Sequence, residues 1–158
     1  MLDGSARAWC AALEVVEGPE LALASVPAGR VEAHGGWMAW APGESEVVVE
    51  VDFGPSGPRG RARWALGDDF AEEVGWARTF VLADQVEALR AAGRGKGATA
   101  DNTLVWGEGV PRRAEEPVVH KLLDLIGDLA LAPPLGMRVE VSRGSHRLHL
   151  EGLTAMFG

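Results

Sequence analysis

Cysteine is nearly absent: Cys10 is the only one in 158 residues. That excludes an intrachain disulfide and a thiolate zinc cluster, and it suits a reducing cytosol. Cys10 itself reads as a small buried hydrophobe. Positive charge is scarce too, with 15 Lys and Arg against 23 Asp and Glu and a net charge of −8. Nucleic acid and anionic membrane surfaces want clustered Lys and Arg, so neither is an expected partner. A small anionic substrate stays open, because a local basic pocket can form on an acidic protein. No apolar run is long enough to span a bilayer, and the first residues lack a basic-then-apolar signal pattern. Histidine is limited to His34, His120, His146 and His149. Any zinc chemistry has to use these, carboxylates or another chain. What is present is 47% hydrophobic content, enough for one ordinary core.

The strongest helical pattern is Glu115–Ala132. Pro117 suits a first turn, Glu115 and Glu116 face the positive end of the helix dipole, and Pro133-Pro134 stops the helix. Val118, Leu122, Leu125, Ile126 and Leu129 fall on one face, widened by Val119, Leu123 and Ala130. His120, Asp124 and Asp128 fall together on the other side, one turn apart, with Lys121 beside them. A histidine and a carboxylate at i and i+4 can share one metal ion. On its own this spacing more often marks solvated residues or a surface ion pair.

Before that stretch, Asp3–Val16 reads as a helix capped by Asp3 or Ser5 and ended by Gly18-Pro19. Strands follow at Leu21–Val26, at Arg30–His34 and Trp37–Trp40 as a hairpin around Gly35-Gly36, at Glu46–Phe53, and at Arg61–Leu66. The Gly54–Gly60 segment is a loop, and His34 at the hairpin tip reads as exposed and idle. Asp68 or Asp69 caps a helix over Phe70–Ala77. Residues 78–106 then read as a strand–helix–strand unit: a strand at 78–81, a helix at Asp84–Ala92, a glycine-rich loop at 93–97 and a strand at Asn102–Trp106. A strand at Met137–Ser142 and a helix at Ser145–Phe157 close the chain. The expected fold is α+β: a two-layer sandwich over residues 1–158, its mainly antiparallel sheet covered by the first and the Glu115–Ala132 helices, with 78–106 as a small insert.

Five segments then occur in order: L-D-G-S-A at 2–6, A-R-T-F at 77–80, G-x-G-K-G-A-T-x-D-N-T-L-V at 93–105, V-x-H-K-x-L-D-x-I-G-D-L at 118–129 and R-G-S-H-x-L at 143–148. Together they resemble the UDP-3-O-acyl-N-acetylglucosamine deacetylases of lipid A (lipopolysaccharide) biosynthesis, which are cytoplasmic zinc hydrolases. The resemblance is to the second of that family's two similar domains. It implies that zinc is held by His120 and Asp124 together with a histidine of the first domain. It implies that Lys121 contacts the nucleotide end of the UDP-linked acylated amino sugar, with Phe80 also on the substrate. Thr79 would donate to the developing oxyanion. Asp128 would pair with His146, which as an imidazolium protonates the leaving amine. The insert would form the acyl-chain passage.

The third zinc ligand and the general-base glutamate of the family lie in its first domain and have no counterpart here. Two readings follow. One is the C-terminal half of the deacetylase, inactive without an N-terminal half. The other is a stand-alone binding domain that has lost catalysis. Either way, loss of the first domain is expected to bare apolar side chains of Asp3–Val16 and the flank at Val119, Leu123 and Leu131. That surface would serve an N-terminal half or a homodimer partner.

Overall fold

The computed structural model describes residues 6–13 and 22–158. The proposed caps Asp3 and Ser5, the Gly18-Pro19 stop, Val16 and Leu21 lie outside the described residues. Seven strands run β1 (Gly29–Ala33), β2 (Gly36–Pro42), β3 (Glu46–Asp52), β4 (Arg59–Ala65), β5 (Thr79–Leu82), β6 (Thr103–Trp106) and β7 (Met137–Ser142). The helices are α1 (Ala6–Leu13), α2 (Phe70–Glu73), α3 (Val86–Ala91), α4 (Glu116–Leu129) and α5 (His146–Phe157). The fold is α+β, as the alternation of the strands and the α4 stripe predict.

The main sheet has the order β1-β2-β7-β3-β4. Its pairings are antiparallel except for β3 with β7, which is parallel. One face presents Met38, Trp40, Val49, Val51, Met137, Val139 and Val141 to the core. That is the period-two output of β2, β3 and β7. Against it lie Val118, Leu122, Leu125 and Leu129 of α4 and Leu148, Leu153 and Met156 of α5. The other face is a lattice of charge: Arg61 pairs with Glu140, and Arg138 and Arg63 both reach Glu46. Val48 is buried on that side, in register with Glu140 and Arg63. The aliphatic stems of such residues shield an apolar neighbour while their heads stay wet.

Several expectations are corrected. The helix layer is α4 with α5, not α4 with α1: Trp9 and Leu13 are 66% and 59% exposed. Val119 and Leu123 are not a bared flank but part of the core, and only Leu131 of the three is exposed. Of the expected strand Leu21–Val26, the described residues 22–26 form no strand, only a bridge between Ala24 and Leu135. The helix after Asp69 ends at Glu73, since the next five residues, 74–78, are all buried. A run buried on every side cannot be one face of a surface helix.

The β1–β2 turn sits one residue earlier than expected. His34 and Gly35 both have positive φ, 56° and 78°, as a two-residue primed turn requires. Gly36 instead opens β2, where a Cβ would lie 2.5 Å from the Arg143 carbonyl oxygen. His34 is exposed but not idle, since its Nε2 lies 3.0 Å from Glu151 on α5. Within 78–106, β5 and β6 pair in parallel, Thr79 opposite Thr103 through Leu82 opposite Trp106. The helical turn 83–85 and α3 connect them.

Candidate functional site

Helix α4 presents His120, Lys121, Asp124 and Asp128 because they recur at helical spacing on the face away from Leu122 and Leu125. His120 Nε2 lies 3.4 Å from Asp124 Oδ1, and Lys121 Nζ lies 2.7 Å from Asp124 Oδ2. Ser145 caps α5 by accepting from the Leu148 amide. That cap sets His146 as the first residue of the helix and turns it toward α4. His146 Nδ1 lies 2.7 Å from Asp128 Oδ2, and its Nε2 lies 3.9 Å from Asp124 Oδ2. Strand β5 brings Thr79 and Phe80 to the same place. Phe80 stands edge-on to His120 with centroids 6.3 Å apart, and Phe53 stands edge-on to Phe80 at 5.4 Å. A cleft of about 190 Å³ is lined by Thr79, Phe80, Phe53, His120, Lys121 and Asp124. Lys121 also borders a smaller hollow of about 130 Å³ with Asp52 and Arg143. The seven site residues named from the sequence therefore fall in two groups along one face of α4: Thr79, Phe80, His120, Lys121 and Asp124 line the cleft, and Asp128 with His146 stands one turn further on, linked to them through Asp124.

The electrostatics differ from residue to residue. His120 is 6% exposed, and that burial pushes its imidazole below the ordinary value against the opposing pull of Asp124. Burial works to raise the Asp124 carboxyl, but the basic groups His120 and Lys121 outweigh it and hold the carboxyl low. His120 Nδ1 is buried without a hydrogen-bond partner, and the Ala77 carbonyl lies near that ring.

His149 was not singled out as a site residue by sequence. It is buried, and its Nδ1 lies 2.7 Å from the same Asp128 oxygen that meets His146. Burial lowers its pKa, with Asp128 opposing. The i, i+3 spacing of His146 and His149 at a capped helix start was the available signal.

Two donor sets stand side by side. Two ligands of one tetrahedral zinc, each about 2.1 Å from the metal, lie about 3.4 Å apart. The His120–Asp124 pair has that separation, and a neutral imidazole beside a carboxylate is the donor chemistry zinc takes. The second set, Asp128, His146 and His149, brings one ligand atom from each within 4.8 Å of the others. It is a candidate cation cluster, but its two 2.7 Å contacts are those of charge-assisted hydrogen bonds. Among the described residues, no group of three with ligand atoms this close includes His120.

Comparison with known proteins places this geometry in context. The profile of the family described as UDP-3-O-acyl N-acetylglycosamine deacetylase matches residues 1–158. A UDP-3-O-acyl-N-acetylglucosamine deacetylase of Thermosynechococcus vestitus is 37% identical, over 96% of this chain and 57% of its own length. The Synechocystis sp. protein of the same name is 32% identical, over 96% of this chain and 60% of its own. The one from Brucella ovis is 39% identical, over 80% of this chain and 48% of its own. The chain thus spans about half to three-fifths of the length of these relatives.

Proposed function

The chain belongs to the UDP-3-O-acyl N-acetylglycosamine deacetylase family, and on that premise we propose that it carries one side of the active site of a zinc-dependent amide hydrolase. The substrate would be a UDP-linked, acylated N-acetylglucosamine, and the pathway lipid A biosynthesis in the cytoplasm. The observation that carries this reading is the stripe on α4, with His120 3.4 Å from Asp124 and with Asp128 2.7 Å from His146. A single cysteine agrees with a cytoplasmic setting. No helix among the described residues is long and apolar enough to cross a membrane.

In this reading His120 and Asp124 hold the zinc, which supplies Lewis acidity toward the amide. Phe80 and Phe53 wall the cleft and limit water. The Thr79 hydroxyl donates to the carbonyl oxygen as it gains negative charge. Lys121 holds the diphosphate-bearing end of the substrate. Water adds to the carbonyl carbon, the C–N bond breaks, and His146 delivers a proton to the departing amine nitrogen, leaving acetate. Asp128 keeps the His146 ring oriented through the 2.7 Å contact at Nδ1.

The base that takes the proton from water is a separate group. Asp124 is the only carboxylate among the residues lining the cleft, and His120 and Lys121 already engage it. A third zinc ligand is likewise required from outside the His120–Asp124 pair. We infer that these residues work together with a further region of protein that supplies both, an N-terminal half or a second copy. Alone they hydrolyse the amide poorly, since loss of a general base typically costs a factor of about 10² to 10⁴. The incomplete ligand set also favours the second reading, a non-catalytic binding domain derived from the enzyme.

Zinc titration of the 158-residue chain against a chromophoric chelator tests the site. Weak binding that is lost in both His120→Ala and Asp124→Ala is expected. Binding unchanged by either substitution would refute the assignment. Hydrolysis of the UDP-linked substrate, compared with and without the ligand- and base-bearing region, then separates the enzyme from the binding domain.

A further inference from the structure

We propose that His149 is a positioning residue that locks Asp128 from behind and thereby fixes which nitrogen of His146 faces Asp124. The proposal rests on the deacetylase reading for its purpose, but its geometry stands without zinc.

Both imidazoles meet one atom: His146 Nδ1 and His149 Nδ1 each lie 2.7 Å from Asp128 Oδ2. An ionised carboxylate only accepts, so each Nδ1 carries a hydrogen. For His149 this settles the tautomer. Its Nε2 is buried with no partner, and a bare lone pair there is far less costly than a stranded N–H. His149 is therefore held neutral, with Nδ1–H donating to Asp128.

Packing makes the arrangement rigid. His149 is 1% exposed. A Cβ added at Gly144 would lie 2.6 Å from both His149 Nε2 and Val141 Cγ1, so the ring fills the space between the end of β7 and the start of α5. Gly144 is glycine because this ring needs the room. The ring of His149 stands 6.2 Å from that of His146, inclined by 77°. His146, by contrast, has a 64% exposed side chain.

An exposed His–Asp pair is ordinarily weak, because both side chains can swing into water. Here one partner is tied to a buried ring. Asp128 cannot follow His146 outward, so His146 keeps Nδ1–H on Asp128 and directs Nε2 toward Asp124, 3.9 Å away. That orientation is what a proton donor to the departing amine needs. His149 touches neither substrate nor reacting atoms in this scheme; it acts through Asp128.

The test is the tautomer of His146, read from long-range ¹H–¹⁵N spectra of the imidazoles in the metal-free chain at one pH. His149→Asn keeps an amide N–H where Nδ1 was. His149→Phe keeps the ring volume and removes the donor, so the core stays filled. Wild type and His149→Asn should both show His146 with a hydrogen-bonded Nδ1–H. His149→Phe, with its backbone amide spectrum otherwise retained, should show His146 averaging between tautomers. In the fully assembled enzyme, kcat should fall about tenfold or more in His149→Phe with KM little changed, and His149→Asn should restore it.

His146 signals unchanged in His149→Phe would overturn the proposal. So would direct coupling of both His146 and His149 nitrogens to added ¹¹³Cd, which would make the cluster a metal site. Failure of zinc binding at His120 would leave the tautomer result standing, so the two readings fail separately.

Discussion

Replacing Glu116 with alanine should remove about 3–5 kcal/mol of stability, the usual cost of leaving one member of a buried ion pair alone. Glu116 is fully buried at the first residue of α4. Its carboxylate accepts from Arg78 Nε at 2.8 Å, Arg78 Nη2 at 2.9 Å, the Arg78 amide at 3.1 Å and the Arg112 amide at 2.7 Å. Two further guanidinium hydrogens go to the Ala100 and Val110 carbonyls. This knot ties the entry to β5, and so Thr79 and Phe80, to the start of the helix that carries His120. Alanine strands a buried guanidinium and two backbone N–H groups. Against a total stability of about 5–15 kcal/mol, that is a large fraction.

Urea unfolding at pH 7 measures the loss, with similar m-values required for the comparison. The pH dependence is a second check. Burial works to raise the Glu116 carboxyl, but the Arg78 and Arg112 hydrogen bonds outweigh it and hold the carboxyl below its ordinary value. A depressed carboxylate contributes stability that is fully present above its unfolded pKa, about 4.3, and is lost as pH falls through the lower folded value. The gap between wild type and Glu116→Gln should therefore be flat from about pH 5 to 8 and narrow below about pH 4. A Glu116→Ala cost under about 1 kcal/mol would refute the buried pairing.

Two further substitutions test the frame around the site. Gly36→Ala would place a Cβ 2.5 Å and 2.6 Å from the Arg143 and Ser142 carbonyl oxygens. Neither can move without disturbing the β2–β7 ladder, so a loss of about 2 kcal/mol or more is expected in the same urea assay; a neutral result would contradict the close approach. Ser145→Ala removes the acceptor for the Leu148 amide and should cost about 1 kcal/mol. Its effect should also reach His146, whose tautomer signal should weaken as the first turn of α5 frays.

The sequence by itself determined most of the elements and one stripe of chemistry. Alternation in Glu46–Asp52 and the apolar face of Glu116–Leu129 are local periodicities, and Pro117 and Pro133 bound the helix through their own backbone chemistry. The same helical period brings His120, Asp124 and Asp128 onto one face without any tertiary contact. Which elements cover the sheet was decided only in three dimensions. Helices α1 and α5 both carry apolar residues, but only α5 follows directly from β7, a central strand whose inward side chains it meets. The parallel β3–β7 contact is equally invisible to a local pattern, since the two strands lie far apart in the chain.

Glu116 shows the limit most clearly. Its position at a helix start reads as a dipole partner in water, yet the fold buries it against Arg78, 38 residues away. His149 is the second case. Its spacing from His146 puts the two rings on neighbouring parts of one helix, but only the crossing of α4 with α5 puts a carboxylate opposite its Nδ1. Periodicity reports which way a side chain points; what it meets there depends on packing between distant segments.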